Sequence, residues 1–355
     1  MKYGIITYTS AQNWGGILQA YALYSYLKKS GVDCELINYR SFDDKWFKPR
    51  KQLKDIAYSI VMYNKDKLRI ERYKKFRLEK LGLNEQGIVT SKDLINLNNV
   101  YDAFITGSDQ LWNCETTICY DFYLRFANKN KILLAYGPSF GQDKIPIRFE
   151  DEVKNLLERY DMKSVREESG RKIVQKLTGE EIPVVCDPAF LLSADEWENV
   201  ANKDIKEKEY IFIYTTEVSS KVINLVKNYK KAHPLVKVIT PYAIPGVKAE
   251  VRKDIGPAEF LSYLKNADYI IGTSFHAVVF SLIFQKDFCV VPHSSTGARV
   301  NDLLSRLGLE NHAINNETGI QFPRLQDANQ KYQSLLNEYI DTSKKYIVNM
   351  INCRK

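Results

Sequence analysis

Short apolar runs rich in β-branched and aromatic residues recur along the chain, and most are followed by a segment whose apolar positions return at helical spacing. That alternation predicts parallel α/β sheets, in which each strand is buried on both faces and a helix carries the chain back. Tyr3–Tyr8 opens as a strand, and the polar loop Thr9–Trp14 leads through Gly15 and Gly16 into a helix. Leu18, Ala22, Tyr26 and Leu27 line one face of that helix before Gly31 stops it. Asp33–Tyr39 predicts a second strand, and the segment from Leu53 to Lys80 is mostly helical and very basic. Tyr101–Thr106 is a strand ending in Gly107-Ser108-Asp109-Gln110, and Lys131–Tyr136, Asp161–Val165 and Pro183–Cys186 continue the series.

Around Asp195–Lys208 apolar density falls and charge rises, the shift expected where a second unit begins. The boundary is placed near residue 204. Beyond it, Tyr210–Thr215, Val236–Thr240, Asp268–Gly272 and Phe288–Pro292 read as strands, with helices near Ser219–Ala232, Pro257–Asn266, His276–Phe284 and Arg299–Leu307. Asn329–Asn352 is one amphipathic helix pattern. The expected architecture is α/β: Rossmann-like domains over 1–204 and 205–328 that face a cleft, and a helix over 329–355 that crosses back onto the first domain.

Bulk properties agree with two soluble domains. A chain of 355 residues exceeds the usual size of a single core, and 45% hydrophobic with 26% charged residues is an ordinary globular composition. The net charge of +8 favours an anionic partner. Its lysines and arginines are dispersed, without the basic blocks of a nucleic-acid arm, so nucleic acid is not expected as a partner. The densest basic stretch, Lys45–Lys80, fits either a solvated helix face or peripheral contact with the anionic inner face of the cell membrane. Six scattered cysteines without a CxxC pair predict thiols in a reducing compartment and no zinc site. The N-terminal run lacks a signal peptide's apolar core, and the longest apolar stretch, near Ala277–Phe284, falls short of the roughly 18 residues of a membrane span. A cytoplasmic location follows.

Chemistry is expected where strands end. In Ala267–His276 a strand runs through Gly272 into a helix, so Thr273, Ser274 and His276 stand where unpaired N–H groups and a positive dipole end could hold a phosphate. Ser274 could equally serve as a simple helix cap. The loop Pro292–Arg299, with Ser295, would line the same edge, and Arg299 could grip a carboxylate or phosphate through two hydrogen bonds, or be a surface arginine in a first helical turn. Arg166 follows a strand of the first half, where it could face the cleft or pair locally with Glu167. Asp109 could orient a sugar hydroxyl or accept its proton. Asp187-Pro188 reads as a turn. The Asn13-Trp14-Gly15-Gly16 loop is not GxGxxG and no Walker sequence occurs, so nicotinamide and ATP are unsupported as cofactors.

Five segments in register, Asn13–Leu23, Gly107–Asn113, Ser164–Gly170, Cys186–Ser193 and Thr273–His276, together resemble the polysaccharide pyruvyl transferase family from residue 1 to about 310. The resemblance implies a GT-B-like fold. It also implies phosphoenolpyruvate as donor and, as acceptor, a sugar of a surface polysaccharide or its lipid-linked precursor; no resident cofactor and no metal are expected, since fixed positive charge can lower the barrier of such a reaction. His276 matches the histidine of the family's donor motif and Arg166 an arginine of the same site. The position two before that histidine, arginine in some members, is Ser274, and the residue after it is Ala277. On this footing His276 and Asp109 are the expected catalytic residues. Arg166, Thr273, Ser274, Ser295 and Arg299 are expected to bind the donor, and Asn13, Trp14 and Gln110 the acceptor. Two other readings stay open: a nucleotide-sugar-dependent glycosyltransferase on the same fold, and a non-catalytic glycan-binding protein of an envelope-assembly complex.

Overall fold

Among the described residues ten strands form two five-stranded sheets, and every pairing between them is parallel. The computed structural model describes residues 1–40, 53–294, 297–315, 322–328 and 331–354, with 53–64 described by backbone alone. The first sheet holds β1 (Tyr3–Ile6), β2 (Cys34–Leu36), β3 (Ala103–Thr106), β4 (Ile132–Ala135) and β5 (Met162–Lys163) in the order β2-β1-β3-β4-β5. The second holds β6 (Tyr210–Tyr214), β7 (Lys237–Thr240), β8 (Glu250–Val251), β9 (Tyr269–Gly272) and β10 (Phe288–Val290) in the order β10-β9-β6-β7-β8. Each order reverses once, between β1 and β3 and between β6 and β9, and at such switch points the loops leaving the strands diverge and open a crevice at the carboxyl edge.

The helices are α1 (Trp14–Lys29), α2 (Leu53–Leu81), α3 (Glu150–Leu157), α4 (Glu168–Thr178), α5 (Ala194–Glu198), α6 (Ser220–Ala232), α7 (Pro257–Asn266), α8 (Phe275–Ile283), α9 (Ala298–Leu307) and α10 (Lys331–Ile351). Asn13 caps α1, its side-chain oxygen accepting from Gly16 N–H, and Gly31 at φ 77° turns the chain out after the last turn. Central strands β1, β3, β4, β6 and β9 are buried at every position, which is why their sequence reads as unbroken apolar runs.

The chain divides into two units. The first gathers the described residues of Met1–Trp46, Arg77–Leu192 and Leu336–Lys355, and the second those of Phe47–Phe76 and Ser193–Leu335. Two assignments differ from expectation. The boundary lies at Leu192/Ser193 and not near 204, because Ser193 caps α5 and sends Trp197 into the second unit's core, edge-on to Phe280 at 5.1 Å. The early part of α2 also belongs to the second unit. Arg72 there pairs with Asp254 at 2.9 Å and Glu259 at 3.4 Å, and Tyr73 is buried. Helical periodicity announces a buried face but not which core receives it.

From Leu336 onward α10 is part of the first unit. Tyr339 donates to Val185 O, Ser343 accepts from Cys186 N–H, Tyr346 donates to Ala135 O and Tyr3 donates to Ile351 O. These residues recur at helical spacing along α10, so one face supplies polar groups to strand ends that would otherwise be buried without partners. The expected strand Pro183–Cys186 is only a bridge, Val165 to Val184, because Asp187 starts a 3-10 turn immediately after it. The two-residue edge strand β8 and helices α3 and α4 were not expected. No described helix is long and apolar enough to cross a membrane, and all six cysteines are unpaired.

Candidate active site

The crevice between β1 and β3 is built from the loops that leave those strands. Thr7 donates to Ser108 O, and Gln19 of α1 donates to both Thr7 Oγ1 and Gly16 O, tying the two loops to the start of α1. Asp109 closes β3 with φ 83°, a left-handed conformation that costs a non-glycine residue about 1 kcal/mol or more and persists only when its surroundings hold it. The hold is visible. Asp109 O accepts from Ser139 N–H at 2.8 Å and Leu111 N–H at 2.7 Å, and its own Oδ1 accepts from Gln110 N–H. Its Oδ2 lies 3.1 Å from where a Cβ on Gly16 would stand, so glycine there lets the carboxylate approach the positive end of α1.

Behind Asp109 lies a buried ion cluster. Arg166, in the loop after β5, donates from Nη1 to Asp187 Oδ2 at 2.6 Å, with both side chains at most 1% exposed, and its Nη2 is 3.7 Å from Asp109 Oδ1. Burial works against the guanidinium charge, but Asp187, then Asp109 and Glu167, outweigh it and raise its pKa. Asp187 is thus a partner that the turn reading missed: one oxygen caps the 3-10 turn at Ala189 N–H and the other takes Arg166. Glu167, the local partner considered from sequence, also favours the guanidinium charge, and its Oε1 accepts from Phe140 N–H. Burial pushes the neighbouring Cys186 thiol up to about 12, which leaves it protonated and unreactive.

The acceptor residues named from sequence divide. Asn13 is exposed beside this crevice, though its side-chain oxygen is occupied in capping α1. Gln110 is half-buried and packs its amide over Gly141. Trp14 is a correction: it is 1% exposed, because the first residue of α1 points inward and its indole is core.

The crevice between β6 and β9 is different in kind. Thr273 Oγ1 accepts from Thr216 N–H and sits 3.2 Å from Thr215 Oγ1, so its hydroxyl locks the two loops together. Ser274 occupies the N-cap position of α8 in extended conformation, yet its hydroxyl makes no cap hydrogen bond, against the plain-cap reading. His276 lies in the first turn of α8, edge-on to Phe275 at 5.5 Å, and the Arg299 guanidinium sits 5.7 Å from the centre of the same Phe275 ring. Phe275 therefore brings an imidazole and a guanidinium to one helix start. Ser295 lies outside the described residues. Its neighbour Ser294 donates from N–H and hydroxyl to Glu217, which holds that carboxyl below its usual range, and His293 Nδ1 is 3.7 Å away. Glu217 was not singled out from sequence, since nothing local marks a glutamate whose partner comes from the loop after β10, 77 residues later.

Comparison with known proteins places this geometry. The sequence model of polysaccharide pyruvyl transferase matches residues 13–295. No curated protein matches the chain. Among solved structures, the UDP-GlcNAc 2-epimerase of Methanocaldococcus jannaschii is similar, with TM-score 0.53 and 13% identity over 100% of this chain and 94% of that one. S. aureus MnaA, in a structure with UDP, gives TM-score 0.51 and 13% identity over 100% of this chain and 99% of that one. At such identity the likeness establishes the fold alone: two parallel-sheet α/β domains of the GT-B type.

Proposed function

Because this chain belongs to the polysaccharide pyruvyl transferase family, we propose that it forms a pyruvate ketal on a sugar of a surface polysaccharide or its lipid-linked precursor, with phosphoenolpyruvate as donor. The observation that carries the reading is the packing of the His276 imidazole and the Arg299 guanidinium against Phe275 at the start of α8, where the positive end of the helix and a guanidinium suit a small polyanion. In this reading the α8 start and Arg299 take the donor's phosphate and carboxylate, and His276 gives a proton to its methylene carbon. The adjacent carbon becomes electrophilic, a sugar hydroxyl adds there, and Asp109 accepts the hydroxyl proton. Attack by a second hydroxyl closes the ring and expels phosphate, which leaves with that hydroxyl's proton. Thr273 serves the loop geometry, since its hydroxyl is committed to backbone. The donor is consumed as substrate, and no resident cofactor is invoked.

Thermal shift on the purified protein with phosphoenolpyruvate, UDP and inorganic phosphate tests the donor, because a ligand bound only by the folded state raises its melting temperature. A shift with phosphoenolpyruvate that His276→Ala abolishes supports the reading, and phosphate release on adding acceptor completes it. A shift with UDP alone would replace it with a nucleotide-sugar enzyme. Peripheral membrane contact belongs to the same proposal. Of the basic stretch 45–80, residues 45–52 lie outside the described residues, and several later cations already pair with acids, as Lys67 does with Glu71. Flotation with anionic liposomes that is lost at high salt would support that contact.

A further inference from the structure

On the proposed reading in which Arg299 takes part of the donor's charge, we infer that Glu217 and Ser294 are positioning residues: they form a clamp that sets where Arg299 stands against Phe275, and so how tightly the donor is held. Glu217 is itself fixed. Its N–H donates to Thr215 Oγ1 at 3.2 Å and the Thr215 hydroxyl donates to its carbonyl, while Thr273 Oγ1 accepts from Thr216 N–H at 3.0 Å. The loop after β6 is thereby tied to the end of β9, and from it the Glu217 carboxylate reaches the loop after β10. There Oε2 accepts from Ser294 N–H at 2.9 Å and Oε1 accepts from the Ser294 hydroxyl at 2.8 Å. Both oxygens of one carboxylate go to one residue, a charge-assisted two-point contact that fixes direction as well as distance.

Close packing carries the clamp on to Arg299. A Cβ on Gly297 would stand 2.6 Å from His293 O and 2.9 Å from Pro292 Cβ, so the bare glycine lies directly on that backbone. The Gly297 carbonyl accepts from Val300 and Asn301 N–H and starts α9. The first turn of α9, with Arg299 in it, therefore rests on the chain that Glu217 holds one residue further along, at Ser294. Arg299 in turn lies 5.7 Å from the centre of the Phe275 ring at the start of α8. If the clamp opened, the guanidinium would move away from the helix start, and a small displacement is enough to weaken hydrogen bonds to a bound anion.

Two effects of opposite sign separate a clamp from a bystander. Glu217 is a negative charge beside the crevice read as the donor site, with 36% of its side chain exposed. If it acted through that charge alone, neutralising it would relieve repulsion and tighten donor binding, weakly because solvent screens it. If it acts as a clamp, neutralising it loosens binding.

The experiment is a thermal-shift titration of the full chain with phosphoenolpyruvate, which yields a Kd from the ligand dependence of the melting temperature, the value without ligand serving as the check of folding. It compares wild type, Glu217→Gln, Ser294→Ala, Arg299→Ala and the double variant Glu217→Gln/Arg299→Ala. Glu217→Gln keeps the size of the side chain without its charge and is expected to weaken binding about fivefold. Ser294→Ala, which keeps the N–H contact, should weaken it about twofold. In the Arg299→Ala background Glu217→Gln should cost no further affinity, because the group it positions is gone. A merely structural loss would be the same in both backgrounds, so this coupling decides the matter. Unchanged or tighter binding in Glu217→Gln, full additivity with Arg299→Ala, or an Arg299→Ala variant that binds as wild type does would each overturn the inference while phosphoenolpyruvate remained the donor. A wild type that does not bind phosphoenolpyruvate would overturn the proposed function, and this inference with it, so the two failures are distinguishable.

Discussion

At the β1/β3 crevice the decisive side chains are ionised and buried: Arg166 and Asp187 are at most 1% exposed and Asp109 is 13% exposed. At the β6/β9 crevice they are hydroxyls, a helix start, the buried His276 imidazole and the half-buried Arg299 guanidinium gathered on Phe275. Both crevices stand at the place where a parallel sheet reverses its strand order. Topology provides a loop-lined hollow at that place, and the loop residues alone decide whether it fixes a carboxylate or receives an anion.

The contrast can be broken most directly at Asp109. Asp109→Asn keeps the shape and the Gln110 contact but removes the proton acceptor, and kcat should fall about 1,000-fold with phosphoenolpyruvate KM little changed. Phosphate release under saturating donor measures it. Full activity would remove the first crevice from the chemistry. His276→Ala is next: kcat should fall about 100-fold, and a variant that binds donor normally yet keeps more than about a tenth of wild-type turnover would end the assignment of His276 as the acid. Arg299→Ala should act on binding, raising donor KM about tenfold, the loss of one charge-assisted hydrogen bond. An equal loss in kcat at constant KM would mean that the guanidinium acts only in the transition state.

The smallest effect sharpens the second crevice. Ser294 N–H and hydroxyl hold the Glu217 carboxyl below its usual range, so what this contact adds to stability is complete above the unfolded value of about 4.3 and disappears as pH falls through the lower folded value. Wild type should melt about 1 °C above Glu217→Gln at neutral pH. The gap should stay level down to about pH 5 and close below pH 4. A gap that widened on acidification would show that the clamp is not ionic.

Much of this is legible in the sequence. Apolar runs located the central strands, Gly31 ended α1 where expected, and the strand ends at Asp109 and at Thr273–His276 lie at the two points where strand order reverses. The misses share a cause. Trp14 looked like part of a polar loop, but the first turn of α1 rotates it into the core. Asp187 looked like a turn residue, and it is one, but its second oxygen reaches Arg166, 21 residues earlier in the chain. Residues 53–76 and 193–204 looked like first-domain material and belong to the second unit.

The sequence by itself determined what a helical turn or a pleat can sense: the period of apolar positions, the Asn13 cap, the left-handed Gly31 and the order of motifs that marks the family. Only the tertiary structure decided which buried face met which core, and which charge met which. Those choices depend on the neighbours that sheet order and close packing bring together, so Arg166 has its carboxylates because the stretch through Val184 runs beside Val165, a juxtaposition no local pattern contains.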